Sequence, residues 1–298
     1  MRRFIPTLVL SAVLLFAACD TPTSSIDEKS PATSSALADA GVSNRAGHDE
    51  PGMHRQYGTP VKVGNGMARA YVVLDAKHGQ SPVELGIALD AKVLDHLPTS
   101  GGEYSFVLSL PRHSPAPYQF AELDWNPQGH EPEGVYTFPH FDFHFYTISL
   151  AERNAITPSD PQFAAKANNL PTGDYVPPYY TVLAPPGGEP ADIAVPQMGV
   201  HWSDVRSPEL QNLLNNPSEY QQFTRTFIYG SWDGRFTFYE PMVTRAYLLS
   251  HPDVTMSIPV PERYPTAGYY PQAYRVTYDA HAKEYRIALT DLVLVQHP

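Results

Sequence analysis

Proline is scattered along this whole chain, 31 residues in 298, and no other feature limits the fold so strongly. Each proline lacks an amide hydrogen and clashes with the preceding helical turn, which argues against long helices and helical bundles. Short strands tolerate the same residues at edges and corners. The 19 Tyr and 13 Phe favour β structure and argue against a disordered chain. A formal charge of −11 is the wrong sign for a nucleic-acid binder, which presents a basic face. One cysteine cannot build a disulfide scaffold. The expected class is therefore mainly β: an antiparallel barrel or sandwich with two or three short helices on its connections.

Residues 1–19 have the layout of a lipoprotein signal peptide. Arg2 and Arg3 form a positive start, and residues 4–16 are an apolar run broken by Pro6, Thr7 and Ser11. Phe16-Ala17-Ala18-Cys19 closes the run and resembles a bacterial lipobox. The run is short for a membrane-spanning helix. Cys19 is the expected lipidation site and, as the one cysteine, leaves no thiol for a thiolate metal site or a nucleophile. The expected location is the cell envelope, held to the membrane by a lipid anchor, with the domain facing the periplasm or the exterior. Asp20 is of the kind associated with inner-membrane retention, a rule that varies between bacteria, so the choice of membrane stays open.

Residues 20–58 are rich in Ser, Thr, Ala, Asp and Gly. Such a stretch cannot bury enough apolar surface to offset its ordering entropy, and it is expected to be a flexible tether. Residues 59–298 are expected to form a single β-rich domain. Strand-like runs cover 70–75, 83–89, 104–110, 135–150, 244–249, 254–260, 273–278 and 284–295. Residues 223–239 have the pattern of a hairpin turning at Trp232-Asp233-Gly234. Asp90, Asp160-Pro161 and Ser207-Pro208-Glu209 mark the starts of three short helices.

The segment Pro139-His140-Phe141-Asp142-Phe143-His144-Phe145-Tyr146 carries the chemistry. In a strand, alternate side chains share a face. His140, Asp142, His144 and Tyr146 then lie on one side, and Phe141, Phe143 and Phe145 on the other. Buried ligand-type side chains need partners, and a metal ion or a closed hydrogen-bond network supplies them. Residues two apart on one face stand about 6.5–7 Å apart and can share an ion; residues four apart, at about 13 Å, cannot without a bend. The remaining ligands must be remote. His201, in Met198-Gly199-Val200-His201-Trp202, and Glu240, which shares its parity with Phe236 and Phe238, are the candidates. The expected metal set is thus His140, Asp142, His144, His201 and Glu240. These donors suit Zn first, and Mn, Fe or Ni. Glu131, in the Gly129-His130-Glu131-Pro132-Glu133 loop, and Asp142 are candidate catalytic bases. No motif points to an organic cofactor: the chain has no Gly-x-Ser-x-Gly, no His-Glu-x-x-His and no phosphate loop.

The His/Asp/Phe octet, with Asp124-Trp125-Asn126-Pro127, Gly129-His130-Glu131-Pro132, Met198-Gly199-Val200-His201-Trp202, Phe227-Ile228-Tyr229-Gly230-Ser231 and Glu240-Pro241-Met242, resembles an uncharacterised family of secreted or lipid-anchored bacterial proteins. Members of this type are also found in Thermus. The resemblance spans roughly residues 58–296. It implies a β-rich extracytoplasmic domain that is a possible homo-oligomer, with no established activity and no catalytic residues to carry over.

Two functions fit the sequence. One is a lipid-anchored envelope protein whose β-domain binds a divalent metal, acting on a small molecule of unknown kind if it is an enzyme. The other is a non-catalytic envelope or stress protein that acts by self-assembly or partner binding, its polar face serving only to specify the core.

Overall fold

Proline, glycine and aspartate interrupt the apolar alternation every few residues, so the chain makes many short strands. The computed structural model describes residues 51–296. The signal segment, Cys19 and most of the expected tether lie outside the described residues. The first sheet begins with β1 (Met53–Tyr57), β2 (Val61–Val63), β3 (Gly66–Asp75) and β4 (Ser81–Asp90). The chain then builds a second sheet from β5 (Tyr104–Leu108), β6 (Phe120–Asn126), β7 (His140–Tyr146), β8 (Tyr180–Thr181), β9 (Val200–Asp204), β10 (Arg225–Trp232) and β11 (Arg235–Thr244). It returns to the first sheet with β12 (Asp253–Ser257), β14 (Ala273–Asp279) and β15 (Glu284–Thr290), while β13 (Gly268–Tyr270) pairs with β16 (Val293–Val295).

All pairings are antiparallel, in the orders β1-β3-β4-β15-β14-β12, with β2 also on β3, and β5-β6-β7-β11-β10-β9-β8. The two sheets form a sandwich, and no closed barrel is present among the described residues. The core between them takes Val72, Leu85, Ile87, Val276 and Ile287 from the first sheet. From the second it takes Leu123, Phe141, Phe143, Phe145, Tyr229, Tyr239 and Val243. Burying a side chain of this size contributes roughly 1.5–3 kcal/mol.

The expected hairpin forms as β10 and β11, with Trp232 opposite Arg235. Asp233 (φ 48°) and Gly234 (φ 82°) make the two-residue turn, and an Asp-Gly pair suits two successive positive φ angles. Short helices occupy connections: α1 (Leu150–Asn154), α2 (Phe163–Asn168) and α3 (Arg245–Leu248).

Five expectations need correction. The run 135–150 is a strand only over its middle, because Pro139 ends the preceding loop and Ser149 with Glu152 makes a capping box that starts α1. Residues 244–249 are not a strand: the Thr244 hydroxyl accepts the Tyr247 amide and opens α3. The helices expected after Asp90 and Ser207 are both single 3-10 turns, Ala91–Leu94 and Pro208–Leu210. β1 pairs along β3 from Tyr57↔Tyr71 to Met53↔Asp75, so the sheet reaches into the stretch that composition assigns to the tether.

Candidate metal centre

The outer face of the second sheet holds the polar residues. β6 alternates Ala121, Leu123 and Trp125 toward the core with Glu122, Asp124 and Asn126 outward, and β7 does the same with its phenylalanines and histidines. Strand register then sets Glu122 opposite His144, Asp124 opposite Asp142 and Asn126 opposite His140. On the other side of β7, Met242 of β11 stands opposite Asp142. All seven β7 residues are buried, because long connections cover the outer face. Two apolar clusters flank the polar patch. Phe120, Tyr146, Ile156, Met198 and Phe238 form one; Val135, Tyr136, Leu210, Phe223, Ile228 and Met242 form the other.

The expected ligands do not form one site. They fall into two trios, His144–His201–Glu240 and His130–His140–Asp142, and within each the donor atoms lie within 4.8 Å of one another. His140 and His144 are in different trios, as the straight strand requires. In the first trio, His144 Nε2 is 3.5 Å and His201 Nε2 is 3.7 Å from Glu240 Oε2. Asp124 Oδ2 stands 3.0 Å behind His144 at Nδ1. In the second, His140 Nε2 is 3.1 Å from Asp142 Oδ1, and His130 Nε2 is 3.5 Å from Asp142 Oδ2. Asn126 Nδ2 donates to Asp142 Oδ2 at 2.7 Å. Beside the first trio, Arg153 of α1 pairs with Glu122, which stands opposite His144, and donates to Gln197, so one buried carboxylate is compensated.

Glycine shapes the first trio. Gly230 faces His201 on β9 and Phe238 on β11. A Cβ there would come 1.9 Å from the Phe238 ring. Its absence lets that ring lie across β10, edge-on to both His144 (4.8 Å) and His201 (5.5 Å).

The electrostatics follow from burying several carboxylates together. Burial, then the charges of Asp142 and Asp124, push Glu240 well above its ordinary value. Burial foremost, with the charge of Asp142, raises Asp124 to about 7. Burial and the charge of His144 lower His201 to about 3, and burial lowers His144. Asp142 is the exception. Burial would raise it, but the charge of His140 and the contacts from His130 and His140 hold it well below the carboxylate range. Desolvation pulls His130 down, and Asp142 overcomes this and lifts it to about 9.

A cavity of about 500 Å³ opens on both trios. His130, Asp142, His201 and Glu240 reach it, and Leu183, Val195, Met198, Leu210, Ile228 and Met242 give it apolar walls. Of the two candidate bases, Glu131 lies at the cavity and its Oε2 accepts the Glu133 amide. Asp142 is committed to Asn126 and two imidazoles. Sequence reasoning misses Glu122, Arg153 and the ligand position of His130, and meets Asp124 only within the string Asp124-Trp125-Asn126-Pro127. The signal for Glu122 and Asp124 is present, since residues 120–126 alternate as residues 140–146 do.

Compared with known proteins, the chain matches no family model, no curated protein and no solved structure. Function has to be argued from the site.

Proposed function

We propose that this chain is a lipid-anchored protein of the bacterial cell envelope whose sandwich domain binds a divalent cation at His144, His201 and Glu240. One observation carries the reading: His144 Nε2 and Glu240 Oε2 are both buried, lack any hydrogen-bond partner and stand 3.5 Å apart. Asp124 Oδ2, 3.0 Å from His144 Nδ1, is the nearest group to take a hydrogen there, although the two do not meet at hydrogen-bonding angles; with the hydrogen on Nδ1, the Nε2 lone pair faces a carboxylate oxygen. Two acceptors in contact need a proton or a cation between them. Donors about 2.0–2.2 Å from a shared tetrahedral ion lie roughly 3.3–3.6 Å apart, close to the separations present. A carboxylate behind a ligating imidazole is the usual orienting partner.

Two imidazoles and a carboxylate form a donor set known for catalytic Zn and for non-haem Fe, and it leaves a coordination position for water or a ligand. Apolar walls above that position suit a small molecule with an apolar body. The envelope location rests on the lipobox-like end at Cys19. Among the described residues no helix is long and apolar enough to cross a membrane.

The test is elemental analysis of the chain purified without a histidine tag or chelator. Near-stoichiometric Zn, Mn, Fe or Ni, of which one equivalent is lost in His201→Ala, supports the reading. A protein that carries none and takes up none on titration overturns it and leaves the self-assembling or partner-binding envelope protein.

A further inference from the structure

We propose that His130, His140 and Asp142 form a second cation site at the rim of the same cavity, sharing no ligand with the first. The tautomers of both histidines are fixed by the backbone. His140 Nδ1 lies 2.7 Å from the Phe138 carbonyl oxygen, and His130 Nδ1 lies 2.7 Å from the Glu131 carbonyl oxygen. A carbonyl only accepts, so each Nδ1 carries the hydrogen, and in the neutral form each ring turns its Nε2 lone pair toward Asp142. His140 Nε2 and Asp142 Oδ1 are 3.1 Å apart, buried and without a hydrogen-bond partner. Their side chains are 0% and 2% exposed, so no solvent relieves the contact.

The supports around this trio act on orientation. Asn126 fixes the Asp142 carboxylate through Oδ2. Gly129, at φ +68°, lets the loop turn so that His130 comes back over β7; a Cβ there would meet the Tyr136 carbonyl oxygen at 2.1 Å. The His130 and His140 rings then sit edge to face at 4.7 Å, with both Nε2 atoms converging on one carboxylate. Two imidazoles held by backbone carbonyls, plus an oriented carboxylate, form a preorganised set for a first-row divalent cation.

The two sites are separate centres. Asp142 and His144 are neighbours on one strand face, about 6.5–7 Å apart along β7. Across from them, the apolar Met242 faces Asp142. The competing account is an ion triad in which protonated imidazoles satisfy Asp142 with no metal.

Counting ions decides between them. The full chain is stripped with chelator, reloaded by dialysis against Zn²⁺ and measured for bound zinc. The expected result is two equivalents in the parent protein, one in His130→Ala, one in His201→Ala and none in the double variant. His130→Gln, which keeps side-chain bulk on the loop, is expected to lose the same equivalent, with an unchanged circular dichroism spectrum. A His130→Ala protein that binds as many ions as the parent overturns the second site. One ion in the parent, lost only with His201→Ala, overturns the second site and leaves the first standing. One ion lost only with His130→Ala does the reverse.

Discussion

At the scale of single residues, the site is a problem of buried charge, and each side chain near it has a distinct consequence. Asp124 stands 3.0 Å from His144 Nδ1 and does not line the cavity on which the trios open. Replacing it with Asn leaves the ligands in place but removes the charge that orients the imidazole. Zinc affinity is expected to fall about 10–100-fold, as orienting partners of ligands usually show, measured by competition with a chromophoric chelator. Glu209 gives a prediction free of metal. It is buried, its Oε1 has no hydrogen-bond partner, and burial raises its pKa despite a hydrogen bond from Thr226. A carboxyl with a raised folded-state pKa binds its proton more tightly in the folded state. Its contribution is therefore fully present below the ordinary value of 4.5 and is lost as pH rises toward the folded value. Glu209→Gln removes that loss, so its melting temperature is expected to gain on the parent between pH 5 and pH 8. Parallel curves at the two pH values would show that Glu209 does not titrate in this way.

At the scale of elements, the two faces of β7 explain what the sequence could reveal. A period of two is a local pattern, so the separation of Phe141, Phe143 and Phe145 from His140, Asp142 and His144 is legible in the sequence alone. The split into two trios is not. It depends on β11 placing Met242 opposite Asp142 and on a loop returning His130 to His140, and both are pairings between distant parts of the chain. The error at residues 244–249 has another origin. Thr-Arg-Ala-Tyr-Leu-Leu fits either a strand or a helix by composition, and the Thr244 cap decides it. Gly230 shows how one strand position serves the site. Gly230→Ala drives a methyl into the Phe238 ring that lies against both His144 and His201. Overpacking of this kind costs about 1–3 kcal/mol. The variant is expected to melt lower and to lose the ion bound at His201 while keeping the one bound at His130. Normal zinc content at both positions would show that the ring does not set the first trio.

At the scale of the whole molecule, the sandwich separates stability from chemistry. The two candidate cation sites lie on the outer face of the second sheet, and the start of the folded domain lies on the first. β1 covers β3 from Tyr71 to Asp75 and packs Met53 and Tyr57 against an outer cluster of Tyr71, Val73, Ala88 and Ala288. The Arg69 guanidinium lies 3.6 Å over the Tyr57 ring. Composition assigns these residues to the tether because five half-polar residues, Met-His-Arg-Gln-Tyr, carry little apolar signal; they are held by pairing and by two side chains. A chain that begins at residue 59 loses that cover and leaves β3 with an unpaired edge beside apolar side chains, which invites self-association. Losing two half-buried side chains costs about 2 kcal/mol, or roughly 4–8 °C in melting temperature for a domain of this size. A chain that begins at residue 51 is expected to show neither the lower melting temperature nor the added association. Both chains are expected to bind the same number of zinc ions, since no ligand touches β1. Equal melting temperatures would place the true boundary of the domain after β1, and a loss of zinc with β1 would mean that the two sheets are coupled through the core rather than independent.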